Sequence, residues 1–165
     1  MKLMLSIVYV AVLGILSHYI GESLPRSLFV PERFPFYPFS FEKGGKFYEK
    51  LGIRKWKTRV PDMSRFMRDM LPKRVTREAT SESVHRLIKE TCVAEFTHKL
   101  LCVFGIGIYF IWKNGIGILL TALFALCNIP FIMIQRYNRP HLMQLEKRLL
   151  LREEKKRRAV SDTVV

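Results

Sequence analysis

The sequence has few of the residue patterns on which metal-dependent, disulfide-stapled or nucleotide-binding proteins rely. It holds three cysteines with no Cys-x-x-Cys spacing, which argues against a disulfide framework or a zinc site. It has no Gly-x-Ser-x-Gly segment, so a serine acyl-enzyme is not expected. No Gly-Lys-Ser/Thr follows the Gly44-Gly45 pair, so a Walker phosphate loop is also not expected. We expect no metal and no resident cofactor.

Acidic residues are scarce as well, with 14 Asp and Glu against 28 Lys and Arg, a formal net charge of +14. The chain of 165 residues is nevertheless 49% hydrophobic, and the two properties are segregated along it. Apolar residues concentrate in 3–20, 100–112 and 116–134, and basic residues lie between and after these stretches. This pattern predicts an all-α, multi-pass membrane protein with about three transmembrane helices. The basic excess fits anionic lipid headgroups, and no recognition motif indicates nucleic acid.

The distribution of charge predicts one membrane domain with four segments and a defined orientation. These are an N-terminal helix (1–20), a basic cytoplasmic or interfacial region (21–91), a transmembrane hairpin (92–135) and a basic amphipathic tail (136–165). Sixteen Lys and Arg lie in the second segment and nine in the last, whereas the hairpin turn has only Lys113. The positive-inside rule therefore predicts that both basic segments lie on the cytoplasmic side of a cell membrane. A cleaved signal peptide would put the second segment outside, so we favour an uncleaved first helix.

Two stretches of the basic region carry distinctive patterns. Residues 29–41 interleave aromatic residues with prolines, which predicts an irregular loop that lies at headgroup level, packs as a plug on the helices, or does both. The segment Arg54-Lys55-Trp56-Lys57 sets three cations around an indole, an arrangement that can hold an anionic headgroup. Residues 64–80 are polar and basic, and we interpret them as a connection to the second long helix, which begins near Ser81.

Glu95 and His98 are the ionisable residues in the most unusual place. The apolar stretch 100–112 would span roughly 20 Å as a helix, against a hydrocarbon core of about 30 Å, so the helix must draw on residues 92–99 to cross. This puts both side chains at the inner membrane boundary, on a face that is otherwise apolar. They are candidates either for a functional site or for a packing contact between helices.

The returning helix brings further polar groups to the same depth. Asn128 and Pro130 lie in its cytoplasmic half, and Asn128 requires a polar partner there. The segment Gln135-Arg136-Tyr137-Asn138-Arg139-Pro140 follows at the membrane exit. Arginines at such a place are either snorkelling anchors or groups that bind a polar ligand.

Four motifs in a fixed order point to a family. They are Phe41-Glu42-Lys43-x-Gly45-Lys46-Phe47, Arg54-Lys55-Trp56-Lys57, Glu90-Thr91-x-x-Ala94-Glu95-x-x-His98, and Asn128-x-Pro130 leading into Gln135-Arg136-Tyr137-Asn138-Arg139-Pro140. Together they resemble the glycosyl-4,4'-diaponeurosporenoate acyltransferases over most of residues 40–145. The resemblance implies a bacterial membrane enzyme of staphyloxanthin-type carotenoid biosynthesis. Such an enzyme esterifies the sugar of a glycosylated carotenoid, or a similar glycolipid, with a fatty acyl group. Membrane lipids and other enzymes of the pathway are the further partners that it implies.

The chemistry of esterification suggests roles for these residues. A base must take the proton of a sugar hydroxyl, and donors must stabilise the oxyanion. We predict that His98 is the base and that Glu95 orients it, with acyl-CoA or another acyl thioester as donor. The residues predicted to bind substrate are Glu90, Arg54, Trp56, Asn128, Arg136, Asn138 and Arg139, of which Arg136, Asn138 and Arg139 are the candidate oxyanion donors.

Three alternatives exist, of which the first two are weaker on the residues alone and the third is favoured by the small size of the chain. His85 and Glu90 have the His-x-x-x-x-acid spacing of soluble acyltransferases, but His85 lies further from the bilayer. Glu-x-x-His also occurs in di-iron carboxylate proteins, which need two copies, and the chain has one. A small membrane protein of this kind could instead be a non-catalytic scaffold or lipid-binding subunit for neighbouring biosynthetic enzymes.

Overall fold

The computed structural model describes residues 1–60 and 79–163, and within them the protein is helical with no strand. The α-helices are α1 (Lys2–Ser23), α2 (Lys46–Lys50), α3 (Ile53–Trp56), α4 (Ser81–Phe104), α5 (Gly107–Trp112) and α6 (Gly115–Thr163). Two 3-10 turns, Arg26–Leu28 and Ser40–Gly45, lie between α1 and α2. Most of the connection predicted over residues 64–80 lies outside the described residues.

Three stretches of helix in the described part of the chain are long and apolar enough to cross a membrane. They are Lys2–Ser23, Ser81–Trp112 and Gly115–Ser161. Many of their large apolar side chains point away from the protein, as expected for surfaces in contact with lipid. The prediction of a three-helix membrane protein is confirmed.

The predicted hairpin is formed by α4, α5 and α6, with its turn at Lys113 and Asn114. Lys113 ends α5 in the left-handed conformation, with φ of 51°, and Asn114 Oδ1 accepts a hydrogen bond from the Gly117 amide at 3.2 Å. Because the two arms are antiparallel, residues of α4 meet residues of α6 in reverse order. Cys102 contacts the Ala125 carbonyl near the turn, and Ser81 contacts Glu153 at the far end.

The hairpin extends well beyond residue 135. Instead of ending at the polar segment that follows Ile134, α6 continues to Thr163 as a helix of 49 residues, with Pro130 and Pro140 inside it. At helical rise this is roughly 73 Å, more than twice the thickness of a hydrocarbon core. The first turns of α4 run beside it, with contacts from His85 to Glu146 and from Ser81 to Glu153. These contacts give the tail a protein partner, which the sequence pattern did not indicate.

Helix α1 packs on the hairpin at both of its ends. Near the turn, the Tyr9 hydroxyl donates to the Phe104 carbonyl at 2.6 Å, and the Trp112 indole donates to Ser6 Oγ at 2.9 Å. At the other end, Arg26 donates to carbonyls at the end of α1 and binds Glu90 of α4 at 2.7 Å. The first helix is thus tied to the hairpin by polar contacts toward both of its ends.

The loop 29–41 has both buried and outward-pointing aromatic side chains. Phe29 and Phe36 are buried and pack against Cys92 and Val93 of α4, so part of the loop is a plug. Other aromatic side chains of the loop point outward, and Phe34 is 86% exposed. Aromatic rings exposed in this way suit the headgroup layer. Next to the loop, Tyr48 and Ile53 of α2 and α3 pack against Tyr137 of α6.

Candidate functional site

The centre of the site is the carboxylate of Glu95, which is completely buried between α4, α6 and the loop. Its Oε1 accepts a hydrogen bond from Arg136 Nη1 at 2.7 Å and pairs with Lys99 Nζ at 2.5 Å. Its Oε2 accepts from Arg139 Nη2 at 2.5 Å. Helical spacing explains this convergence, since Lys99 lies one turn after Glu95 on α4 and the two arginines lie three residues apart on α6. One carboxylate therefore bonds to three cations.

Arg136 is bonded through its whole guanidinium group. It donates to both oxygens of Glu42, at 2.5 and 3.0 Å, as well as to Glu95. It also donates to the carbonyls of Pro35, at 3.4 Å, and Tyr37, at 3.0 Å. A guanidinium has five N–H donors, and these five contacts occupy them.

Arg139 is 3% exposed and is bonded in a similar way. It donates to the Thr91 hydroxyl at 2.9 Å, to the Thr91 carbonyl at 3.2 Å and to the Phe36 carbonyl at 2.8 Å, in addition to Glu95. Together the two arginines bond three successive loop carbonyls, those of Pro35, Phe36 and Tyr37. A buried carbonyl without a partner costs free energy, and this irregular loop has no helix or sheet to satisfy its own.

The Glu42 carboxylate balances part of this positive charge and is itself held by the short helical segment that follows the loop. It accepts a hydrogen bond from the Phe39 amide at 2.8 Å, and the Tyr48 hydroxyl donates to it. Burial, with help from the neighbouring Glu42, raises the pKa of Tyr48 above its usual range, so the phenol stays protonated and donates. The buried cluster is thus Glu42, Glu95, Arg136 and Arg139, with Lys99 at its edge.

His98 lies one turn from Glu95 and has its own polar partner on α6. Its Nδ1 is 2.9 Å from Asn128 Oδ1, and its ring stacks on Phe131 with centroids 4.4 Å apart. The Asn128 amide nitrogen donates to the Phe124 carbonyl at 2.9 Å, which directs the amide oxygen at the histidine. An amide oxygen accepts, so Nδ1 is the donor in this pair, and in a neutral imidazole Nε2 is then the basic nitrogen.

A third group of predicted residues lies beside the cluster, where α2 and α3 meet α6. Arg54 binds Glu49 at 2.6 Å and the Tyr137 hydroxyl at 3.3 Å, and the Trp56 indole donates to the Leu51 carbonyl. Asn138 accepts a hydrogen bond from Lys57 at 3.2 Å. Burial and the nearby Arg54 lower the pKa of Lys57.

The structure thus brings the predicted site residues together in three neighbouring groups and leaves one apart. Glu95, Arg136 and Arg139 form the buried cluster, His98 pairs with Asn128, and Arg54, Trp56 and Asn138 line the third group. Glu90 instead binds Arg26 near the end of α1. Within the described residues, no group of three or more His, Cys, Asp or Glu side chains is placed to hold a metal ion.

Several participants were not predicted from the sequence. Glu42 and Lys57 belong to motifs that the sequence analysis singled out, but nothing in their spacing indicates that they reach residues some 90 positions away. Gln135 is buried, and its Oε1 has no hydrogen-bond partner in the part of the chain described here. It lies seven residues after Asn128, on the same face of α6. A glutamine two helical turns from a predicted polar residue was the available signal.

The chain has clear relatives. The family model described as glycosyl-4,4'-diaponeurosporenoate acyltransferase matches residues 27–148, a range that contains all three groups of the site. Proteins of that name from Staphylococcus aureus strains bovine RF122 / ET3-1, MRSA252 and N315 are 32%, 31% and 30% identical over 141 residues, which is 82% of each chain. No solved structure gives a significant match. The relatives' names indicate an acyltransferase, and the chain belongs to the glycosyl-4,4'-diaponeurosporenoate acyltransferase family.

Proposed function

We propose that the protein transfers a fatty acyl group from a thioester to a sugar hydroxyl of a glycosylated carotenoid. The relatives' name supplies the acceptor class, and the three neighbouring groups of polar residues supply a site for it. In this proposal the carotenoid chain lies in the bilayer and its sugar reaches the cytoplasmic boundary, where these groups lie. A sugar needs hydrogen-bond partners, and the surrounding apolar surface suits both the carotenoid and the acyl chain.

The observation that carries the proposal is the fixed geometry of His98. Asn128 and Phe131 hold its ring with Nε2 as the basic nitrogen, which is the arrangement that a general base requires. Nε2 takes the proton as the sugar oxygen attacks the thioester carbon. When the tetrahedral intermediate collapses, the C–S bond breaks and the imidazolium returns its proton to the leaving thiolate. No acyl-enzyme is formed.

In this proposal Glu95 does not orient the His98 ring through a hydrogen bond. Its oxygens bind Arg136, Arg139 and Lys99, and Asn128 provides the hydrogen bond that orients His98. We propose that Glu95 acts as a positioning residue, which fixes the loop through the two arginines.

In this proposal the hydrogen-bond donor to the oxyanion lies outside the buried cluster. Arg136 and Arg139 direct their N–H groups at protein acceptors, which makes them positioning residues in this proposal. Asn138 and Lys57 belong to the third group, beside the cluster, and offer N–H groups to a substrate oxygen. Gln135 Oε1 is an acceptor for a second sugar hydroxyl, while Arg54 and Trp56 meet the sugar's outer side.

The test is acyl transfer by the purified protein in lipid nanodiscs, with a glycosylated carotenoid and a fatty acyl thioester as substrates. Mass spectrometry would detect the ester. General base catalysis contributes roughly 10²- to 10⁴-fold, so we expect His98→Ala to lower kcat by about that factor with little change in KM. His85→Ala is the matched control and should keep most of the activity. A correctly inserted His98→Ala protein with wild-type kcat would overturn the mechanism.

A non-catalytic scaffold is the second candidate, and the tightly satisfied cluster around Glu95 favours it. Such a network would hold a loop in place whether or not chemistry occurs there. The two candidates differ in what they require of His98. If the protein is a scaffold, His98→Ala should reduce the product only in proportion to the protein lost from the membrane. If it is an enzyme, the product should fall although the variant is folded and inserted.

A further inference from the structure

The cytoplasmic end of α6 carries a basic face that the site does not use. Two of its glutamates, Glu146 and Glu153, turn toward α4, where they bind His85 and Ser81. Leu142, Leu145 and Leu149 share that side of the helix by their spacing.

The opposite side of the helix is exposed and positive. Its exposed residues recur at three- and four-residue steps, and we call them the basic stripe: Lys147, Arg148, Leu151, Arg152, Lys155 and Arg158. The stripe has five cations around one leucine, and Leu151 is 51% exposed. Glu154 at its edge binds Arg158 at 2.5 Å. From Lys147 to Arg158 the stripe is roughly 17 Å long.

The basic stripe begins beyond the layer of lipid headgroups. The apolar stretch of α6 ends at Ile134, and Lys147 follows 13 residues later, roughly 20 Å along a continuous helix. The headgroup layer on each side of a bilayer is only about 5–8 Å thick. The stripe also lies on the convex side of a single helix, whereas small molecules bind in concave sites. A soluble macromolecule with an acidic surface fits both facts.

We propose that the basic stripe docks a small acidic protein that carries the acyl group as a thioester. This inference rests on the proposed function, because it identifies the donor that the transfer requires. Complementary charge guides the carrier to the stripe, and Leu151 adds an apolar contact at its centre. The stripe begins roughly 25 Å along α6 from the level of His98. A thioester on a long flexible arm would bridge that distance.

The experiment measures binding separately from catalysis. The probe is a purified acyl carrier protein loaded with a fatty acyl group, and the immobilised partner is the full-length protein in zwitterionic nanodiscs. We expect saturable binding that weakens with salt. Arg148→Glu with Lys155→Glu should raise Kd at least about tenfold. The control, Lys156→Glu with Arg157→Glu, has the same change in net charge on the same segment but off the stripe, and should keep Kd within about threefold.

Three results would overturn the docking proposal. They are no binding by the wild-type protein, equal loss in both double variants, and loss of association with anionic vesicles in the stripe variant while carrier binding is unchanged. The last result would indicate a membrane surface instead. Ester formation from acyl-CoA without carrier binding would contradict the docking and leave the proposed function intact. Carrier binding without ester formation from any thioester would do the reverse.

Discussion

At the scale of single residues, Arg136 and Arg139 donate to carbonyls of the loop 29–41 the hydrogen bonds that backbone N–H groups donate in a helix or a sheet. Prolines keep the loop out of helix and sheet, and its buried carbonyls still need donors. Two guanidinium groups on one helix supply them, and two carboxylates neutralise the guanidinium charges. The loop, the hairpin and the site are therefore coupled through the same few side chains.

Arg139→Lys tests whether the planar fork matters or only its charge. Lysine keeps the ion pair with Glu95, but an ammonium cannot reach Thr91 and the Phe36 carbonyl in the same geometry. We expect a loss of about 1–3 kcal/mol in stability, from buried acceptors left without a donor, and a clear loss of transfer activity. Thermal unfolding in detergent checks the first expectation. The control is Arg158→Lys, which changes an exposed ion pair on α6. Equal stability of the two variants would show that the planar group of Arg139 adds nothing beyond its charge.

Glu95→Gln tests the buried charge itself. The amide keeps the size of the side chain but leaves Arg136 and Arg139 with one carboxylate, Glu42, between them. Removing one partner of a buried ion pair typically costs about 3–5 kcal/mol, so we expect a large drop in the unfolding temperature. Glu154→Gln breaks an exposed pair and should change it little. A stable Glu95→Gln protein with low kcat would instead indicate a direct part in catalysis.

At the scale of helices, the close approach of α1 to the hairpin depends on Gly107. A Cβ at this position would overlap the ring of Tyr9, whose hydroxyl binds the Phe104 carbonyl. We expect Gly107→Leu to separate α1 from α5 and to lower thermal stability by about 1–3 kcal/mol, the usual cost of overpacking. Gly14→Leu, where a Cβ meets no atom within 4 Å, is the control and should be neutral. Equal effects of the two would show that Tyr9 does not set this contact.

The helices were predictable because their signals are local. Apolar length located the first and third spans, the second required residues 92–99 in addition to its apolar stretch, and Lys113-Asn114-Gly115 located the turn. The partners were less predictable, since the ion pair of Glu42 with Arg136 joins residues 94 positions apart and has no sequence period. The same reason explains why helical spacing alone predicted His98 as the partner of Glu95. Two of the three competing cations, Arg136 and Arg139, come from α6, and only the packed hairpin shows that they reach the carboxylate.

At the scale of the whole molecule, orientation in the membrane is the property on which every functional proposal depends. Both the site and the basic stripe lie on the side of the hairpin away from its turn. The count of sixteen, one and nine basic residues predicts that this side faces the cytoplasm. A donor made in the cytoplasm would then reach the site without crossing the bilayer.

Two introduced cysteines test this orientation. Gly115 is at the exposed turn with open space for a side chain, and Val160 is exposed near the end of α6. We expect a membrane-impermeant maleimide to label Gly115→Cys in intact cells and to label Val160→Cys only after lysis. The wild-type protein measures the background from Cys92, Cys102 and Cys127, and labelling of both variants after lysis shows that each site is reactive. Labelling of Val160→Cys in intact cells would place the site and the basic stripe outside, where neither a cytoplasmic thioester nor its carrier could reach them.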